Sequence, residues 1–177
     1  LNIGGISNVT IINDTLNFSK IFSQDIGPGN CLIDSWVRKN SENNFDKNGQ
    51  FAISGKKNDI ILEQAQELFS NRPNKDKRSL DTNDFDISFA RGLNLEDGSA
   101  TLTEFTAGII GDSLNDLFKN FGNQIKNIFL CGGGRKNNFL IKKIKSYLSK
   151  DINFELIDKF KIDGDFIESQ AFAFLSI

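Results

Sequence analysis

Three observations predict an α/β fold, a mixed β-sheet flanked by helices. The chain opens with strand-like runs broken by a diglycine turn. A block of helical periodicities follows. After residue 127 the pattern alternates strand, glycine turn, helix, strand, helix. Such alternation places helices against a sheet.

Each element has its own signal. Leu1-Asn2-Ile3 starts a strand that breaks at Gly4-Gly5, and Val9, Ile11 and Ile12 are β-branched residues of a second run. Asn13-Asp14 marks a turn, and Leu16, Phe18, Ile21 and Phe22 suit an antiparallel partner. Gly27-Pro28-Gly29 cannot continue a helix or a central strand, so residues 25–30 read as a loop. Asn30 is placed to cap a helix carrying Leu32, Ile33, Trp36 and Val37 on one face. Polar residues 40–55 read as loop, and a helix is expected over 57–69. Residues 70–84, with Pro73 and the cluster Lys75-Asp76-Lys77-Arg78, read as a solvated loop. Asp97-Gly98 reads as a break before a long amphipathic helix from Ser99 to about Phe118. Residues 127–131 read as a strand, 138–149 as a helix, 152–157 as a strand and 166–175 as a final helix.

Composition narrows the chemistry. The 177 residues suit one ordinary domain, and 38% hydrophobic with 25% charged residues allows a packed core. Net charge is −2 with scattered Lys and Arg, which does not favour nucleic acid. There is no His, so Ser-His-Asp and Cys-His mechanisms are excluded within these residues, and a general base must be Asp, Glu or Lys. Cys31 and Cys131 lack metal-ligand spacing, suit buried apolar positions and fit a reducing cytoplasm. No apolar run has the length of a membrane span, and no signal peptide is visible. The first residue is Leu, there is no Met, and the chain opens inside a strand. From this we expect the C-terminal part of a longer polypeptide.

The glycine turns carry the functional signal. Gly132-Gly133-Gly134 sits between a strand and a helix, where bare backbone and free helix N–H groups can approach a nucleotide. Gly4-Gly5 is a second such turn, and the two suggest a cleft between them. The spacing is neither the Rossmann fingerprint nor the P-loop. Each residue also has a ligand-free reading: a tight connection for Gly132–Gly134, a bulge for Gly4-Gly5, a helix cap for Asn137, an Asx turn for Asp25. Glu104 is expected near the start of the long helix, held there by the dipole. Asp34 is expected to be solvated or paired, and Asp163 and Asp165 to start a helix rather than hold Mg²⁺. Glu168, among Phe166, Ile167, Phe172 and Phe174, is a carboxylate that needs a partner, and a sugar hydroxyl would serve.

Six stretches occur together in order. They are Asn2-Ile3-Gly4-Gly5-Ile6-Ser7-Asn8, Asp25-Ile26-Gly27-Pro28-Gly29-Asn30, Arg78-Ser79-Leu80-Asp81 with Asn83-Asp84-Phe85, Ala100-Thr101-Leu102-Thr103 with Thr106-Ala107, Cys131-Gly132-Gly133-Gly134 with Asn137, and Asp163-Gly164-Asp165-Phe166-Ile167-Glu168 with Gln170-Ala171-Phe172-Ala173. In this the chain resembles the C-terminal half of the anhydro-N-acetylmuramic acid kinases, of the actin/hexokinase/Hsp70-type ATPase superfamily. The resemblance implies a ribonuclease H-like sheet, with residues 1–177 as the C-terminal nucleotide-binding lobe of a two-domain sugar kinase. It implies ATP and Mg²⁺, an amino-sugar substrate, cytoplasmic location and a homodimer in the intact protein. It implies opening of the 1,6-anhydro ring and phosphorylation of O6 in peptidoglycan recycling. Gly4, Gly5, Gly132, Gly133, Gly134 and Asn137 would serve the nucleotide; Asp25, Gly27, Pro28, Gly29, Asn30 and Glu168 would face the sugar or support its pocket. The catalytic base and the first phosphate turn would lie upstream of Leu1, so these residues alone are expected to be inactive. Arg78 stands where many relatives have Lys. Two alternatives remain open at this point: another kinase of the superfamily, or a module that binds nucleotide or a partner without turnover.

Overall fold

The computed structural model describes residues 1–12, 21–72, 79–122 and 125–176. The expected hairpin positions Leu16 and Phe18, Pro73 and the 75–78 cluster with Arg78 lie outside them. Strands β1 (Asn2–Ile3), β2 (Ile6–Ile12) and β3 (Ile21–Pro28) form an antiparallel sheet in that order. Strands β4 (Asn127–Leu130) and β5 (Asn153–Leu156) pair in parallel. A parallel bridge between Asn2 and Cys131 joins the two, with Ile3 N donating to Cys131 O at 3.0 Å and Cys131 N to Leu1 O at 3.0 Å. The order across the joined sheet is therefore β3-β2-β1-β4-β5. In β2 the side chains alternate: Ser7, Val9 and Ile11 are buried while Thr10 and Ile12 are exposed, the period-two pattern of a strand with one face on a core.

Residues 25–28 are strand, not loop. β3 pairs only with β2 among the described residues, so it is an edge, and an edge tolerates the missing N–H of Pro28. The register steps from Ser7↔Gly27 to Asn8↔Asp25, leaving Ile26 as the extra residue of a bulge. Ser113 Oγ donates to the Ile26 carbonyl at 2.9 Å, and Ile26 is buried.

Helices α1 (Cys31–Asn40), α2 (Gln50–Ser54), α3 (Asp59–Ser70), α4 (Leu95–Asn120), α5 (Asn138–Ser146) and α6 (Ile167–Leu175) complete the fold. α1 buries Leu32, Ile33, Trp36 and Val37 as expected. Asn30 holds its N-cap position, but its side chain makes no capping bond; Nδ2 reaches Ile3 O at 3.5 Å instead. α2 falls in the tract read as loop. Its signal was Asp46, whose buried carboxylate accepts from Phe51 N at 2.9 Å and Ala52 N at 3.0 Å. Asp34 is half-buried beside Arg38. Burial raises its carboxyl to about 6, with Arg38 opposing and Asp46 adding to the rise.

α4 is the hub and packs on α1, α2, α3, α5 and β3. It begins at Leu95, not Ser99, because Asn94 caps it: Oδ1 accepts from Asp97 N at 2.7 Å. Gly98 is then a helical residue rather than a break. A Cβ there would overlap the Trp36 indole, whose Nε1–H donates to Leu95 O at 3.0 Å. Glu104 consequently lies well inside the helix, not near its start. It is buried, bonded by Lys143 Nζ at 2.7 Å and by the Tyr147 hydroxyl at 2.9 Å. Burial first, then Glu104, pushes the Tyr147 phenol upward.

Close packing at Gly98 has a measurable consequence. Gly98→Ala should overpack the α1–α4 contact and lower stability by about 2 kcal/mol. Urea unfolding should show a lower midpoint with an unchanged slope. An unshifted midpoint would refute the packing role.

Candidate functional site

The two glycine turns leave the carboxyl ends of adjacent parallel strands. β1 runs into Gly4-Gly5 and β4, through Cys131, into Gly132–Gly134. In open α/β sheets the crevice outside strand carboxyl ends is where ligands bind.

The Gly4-Gly5 turn holds the start of α1. Gly4 O accepts from Asn30 N at 2.7 Å, and Gly5 O accepts from Gly29 N at 2.9 Å and Cys31 N at 3.2 Å. A Cβ on Gly29 would overlap the Gly4 carbonyl. Gly29 and Asn30 thus hold the diglycine turn directly, while Pro28 and Gly27 pair with Ile6 and Ser7 just beyond it and Gly27 packs on Ile109.

The three glycines of the second turn differ in role. Gly132 has φ +77° and donates to Gly164 O at 2.8 Å; a Cβ on it would overlap the Asn2 side-chain oxygen. A Cβ on Gly134 would overlap Ile3. Gly133 alone of the three is exposed. A Cβ there would meet nothing nearer than Asn30 Nδ2, at 4.0 Å. Gly133 and Asn30 therefore face one another across the opening. Asn137 lies behind the turn, buried, capping α5 with Oδ1 accepting from Leu140 N at 3.1 Å.

Arg135 was not singled out from the sequence, yet it organises this turn. Its guanidinium is 5% exposed and pairs bidentately with Asp158 at 2.8 and 2.9 Å. It also meets Asp165 at 2.5 Å and Gly132 O at 3.0 Å. Lys136 reaches the other Asp165 oxygen at 2.5 Å. Asp163 and Asp165 precede α6 as expected, and Asp165 is held by these cations. The readable signal was a charge directly after the glycines and an acid-rich 158–165 segment. The Arg135 hydrogen bond holds the Asp158 carboxyl at about 2, below the ordinary 3.8.

Asp25 and Glu168 lie away from the glycines but together. Both line a cavity of about 340 Å³ with Asn8, Ser79 and Phe172. Asp25 Oδ2 accepts from Leu80 N at 2.8 Å. Glu168 is exposed at the start of α6, and Asn2 Nδ2 donates to its Oε1 at 2.6 Å. A larger cavity of about 790 Å³ also reaches Asn2 and Glu168. It occupies the gap between β2 and β4 beyond the short β1, and not the glycine turns. Among the described residues no group of three or more His, Cys, Asp or Glu is placed to hold a metal ion. No helix among them is long and apolar enough to cross a membrane.

A family model described as anhydro-N-acetylmuramic acid kinase matches residues 1–177. The chain belongs to the anhydro-N-acetylmuramic acid kinase family. A relative of that name from Pelagibacter ubique (strain HTCC1062) is 48% identical over 177 residues, 100% of this chain and 47% of its own length. Like-named relatives from Zymomonas mobilis subsp. mobilis and Hahella chejuensis are 35% and 34% identical, over 46% and 47% of their lengths. The chain thus spans about half the length of the curated relatives it matches. Within these residues the Gly4-Gly5 and Gly132–Gly134 turns are brought together, and Asp25 and Glu168 share a neighbouring cavity.

The clamp on the glycine turn is testable. Arg135→Ala should detach residues 158–165 and speed amide exchange at Gly132 at least ~10-fold, since opening by 1.4 kcal/mol is tenfold. The parent should loosen likewise in acid. Asp158 sits lower when folded than unfolded, so its contribution is present above about 3.8 and lost as pH falls through about 2. Unchanged Gly132 exchange in Arg135→Ala would refute the clamp.

Proposed function

We propose that this chain forms the C-terminal, nucleotide-binding lobe of an ATP-dependent kinase. The enzyme opens 1,6-anhydro-N-acetylmuramic acid and phosphorylates it to N-acetylmuramic acid 6-phosphate in the cytoplasm, in peptidoglycan recycling. The carrying observation is the convergence of two glycine turns at the carboxyl ends of β1 and β4 in a chain that matches the family over its whole length. The strand order β3-β2-β1-β4-β5, antiparallel then parallel, supports a ribonuclease H-like lobe of the actin-type fold.

In this reading Gly133 is the open face of the adenosine turn, with Gly132 and Gly134 giving the chain its close path and Asn137 fixing the helix behind. Gly4 and Gly5 form the second phosphate turn, held by Gly29 and Asn30, while Gly27, Pro28, Gly29 and Asn30 face the sugar or support its pocket. Asp25 and Glu168 belong to the sugar side. Phosphoryl transfer needs mainly positioning and charge stabilisation. Mg²⁺ would come with ATP; Asp165 and Asp158 are engaged by Arg135 and so are poor candidates to hold it. The base that activates water, and the first phosphate turn, are assigned to the other half of a protein of the relatives' length, which is proposed to work as a homodimer.

The test is a coupled assay on the full-length enzyme with ATP, Mg²⁺ and the anhydro sugar, with product identified by mass. Phosphorylated, ring-opened product is expected; turnover of other sugars but not this one would overturn the assignment. Gly133→Val should leave the fold intact, because a new Cβ would meet only Asn30 Nδ2, at 4.0 Å. It should raise the ATP Kd at least ~10-fold, about 1.4 kcal/mol. Unchanged ATP binding in the folded variant would remove Gly133 from the nucleotide site.

A further inference from the structure

Asn2 is an amide in an unusual place. It is 8% exposed and sits on β1 two residues before the Gly4-Gly5 turn. Its side-chain oxygen fills the space that a Cβ on Gly132 would need. Its nitrogen donates to Glu168 Oε1 at 2.6 Å. One buried side chain therefore touches the glycine turn after β4 and the first turn of α6, and shares its strand with the other glycine turn.

Among the described residues no other hydrogen bond or ion pair holds Glu168. α6 leaves its described residues from Glu168 to Phe174 exposed, so burial does not set the position of this carboxylate. A bond between a buried amide and an ionised group is of the stronger, charge-assisted kind. It leaves the second carboxylate oxygen available, at the place where the two cavities meet.

We infer that Asn2 is a positioning residue, which holds the Glu168 carboxylate toward the sugar and locks it to the nucleotide turn at Gly132. The inference rests on the reading of Glu168 as a sugar-side group. Asn2 touches neither reactant. It removes rotamer freedom from Glu168 before the sugar arrives, and such preorganisation lowers the cost of binding. Because the amide also packs on Gly132, the position of Glu168 is referenced to the nucleotide turn.

Asn2→Asp separates positioning from packing. It keeps the shape against Gly132, but replaces the donor with an acceptor and sets a negative charge against Glu168. In the full-length enzyme the KM for the anhydro sugar should rise ~10-fold or more while the KM for ATP stays within ~2-fold. A packing role alone would leave Asn2→Asp close to the parent and would make Asn2→Ala the damaging change. Should Asn2→Asp fail to fold, Asn2→Ala is read in the same way, with the ATP KM reporting an intact nucleotide lobe. Sugar KM rising alone supports the inference; both KM values rising together, or neither, overturns it. Glu168→Gln is the control on the underlying reading. If it raises the sugar KM and Asn2→Asp does not, the positioning role alone is wrong. If it leaves the sugar KM unchanged, the sugar-side reading of Glu168 fails and the inference falls with it. In the Glu168→Gln background, adding Asn2→Asp should cost no more than ~2-fold further, because the carboxylate to be positioned is already gone.

Discussion

The cleft depends on how closely the chain at Gly132–Gly134 can approach Ile3. β1 and β4 are joined by a single bridge, and directly beyond it the turn must pass over β1 at a distance no side chain allows. Gly134 lies on Ile3 and Gly132 on Asn2 and the Ile3 carbonyl. Only then do the two turns open onto a common crevice. Two of the three glycines are required by packing, which leaves Gly133 as the one whose bare backbone faces outward. A glycine run that looks like one motif in sequence is two structural requirements and one opening.

Electrostatics then fix what packing brings near. Arg135 draws Asp158 and Asp165 against the turn and donates to Gly132 O. Its position, almost without solvent, would be costly without those carboxylates. Between α4 and α5 the buried Glu104 is held in turn by the half-buried Lys143 and Tyr147. The lobe is thus tied at both ends of α5: ahead of it by the Arg135 cluster, along it by Lys143.

Much of this order was legible from residue pattern. The strand–glycine–helix unit at 127–146 and the apolar face of α1 follow directly from periodicity and turn chemistry. Three features did not. α2 was hidden because it is a single short stretch in a polar tract, and the carboxylate that holds its first N–H groups, Asp46, lies ahead of a left-handed Gly49. The true start of α4 was hidden because Gly98 reads as a breaker, when it is a helical position emptied for an indole. The second half of β3, residues 25–28, was hidden because Pro28 is forbidden only in a strand with neighbours on both sides. In the candidate site the glycine turns and Glu168 stand out by residue type alone, whereas Asn2 and Arg135 bond partners distant in sequence, which no local pattern encodes.

The bulge at Ile26 acts as a phase shifter within one strand. Before it, the alternation that points Asp25 toward the cavity is set by pairing from Ile21 upward; after it, a second alternation seats Gly27 against α4 and Pro28 beside Ser7. The strand therefore carries two half-patterns that disagree by one residue, reconciled only at Ile26. Loss of that single residue would not merely shorten the strand. It would remove the bulge and its bend: Asp25 and Gly27 would follow one another opposite Asn8 and Ser7, each half keeping its face, while the carbonyl that Ser113 holds would be lost.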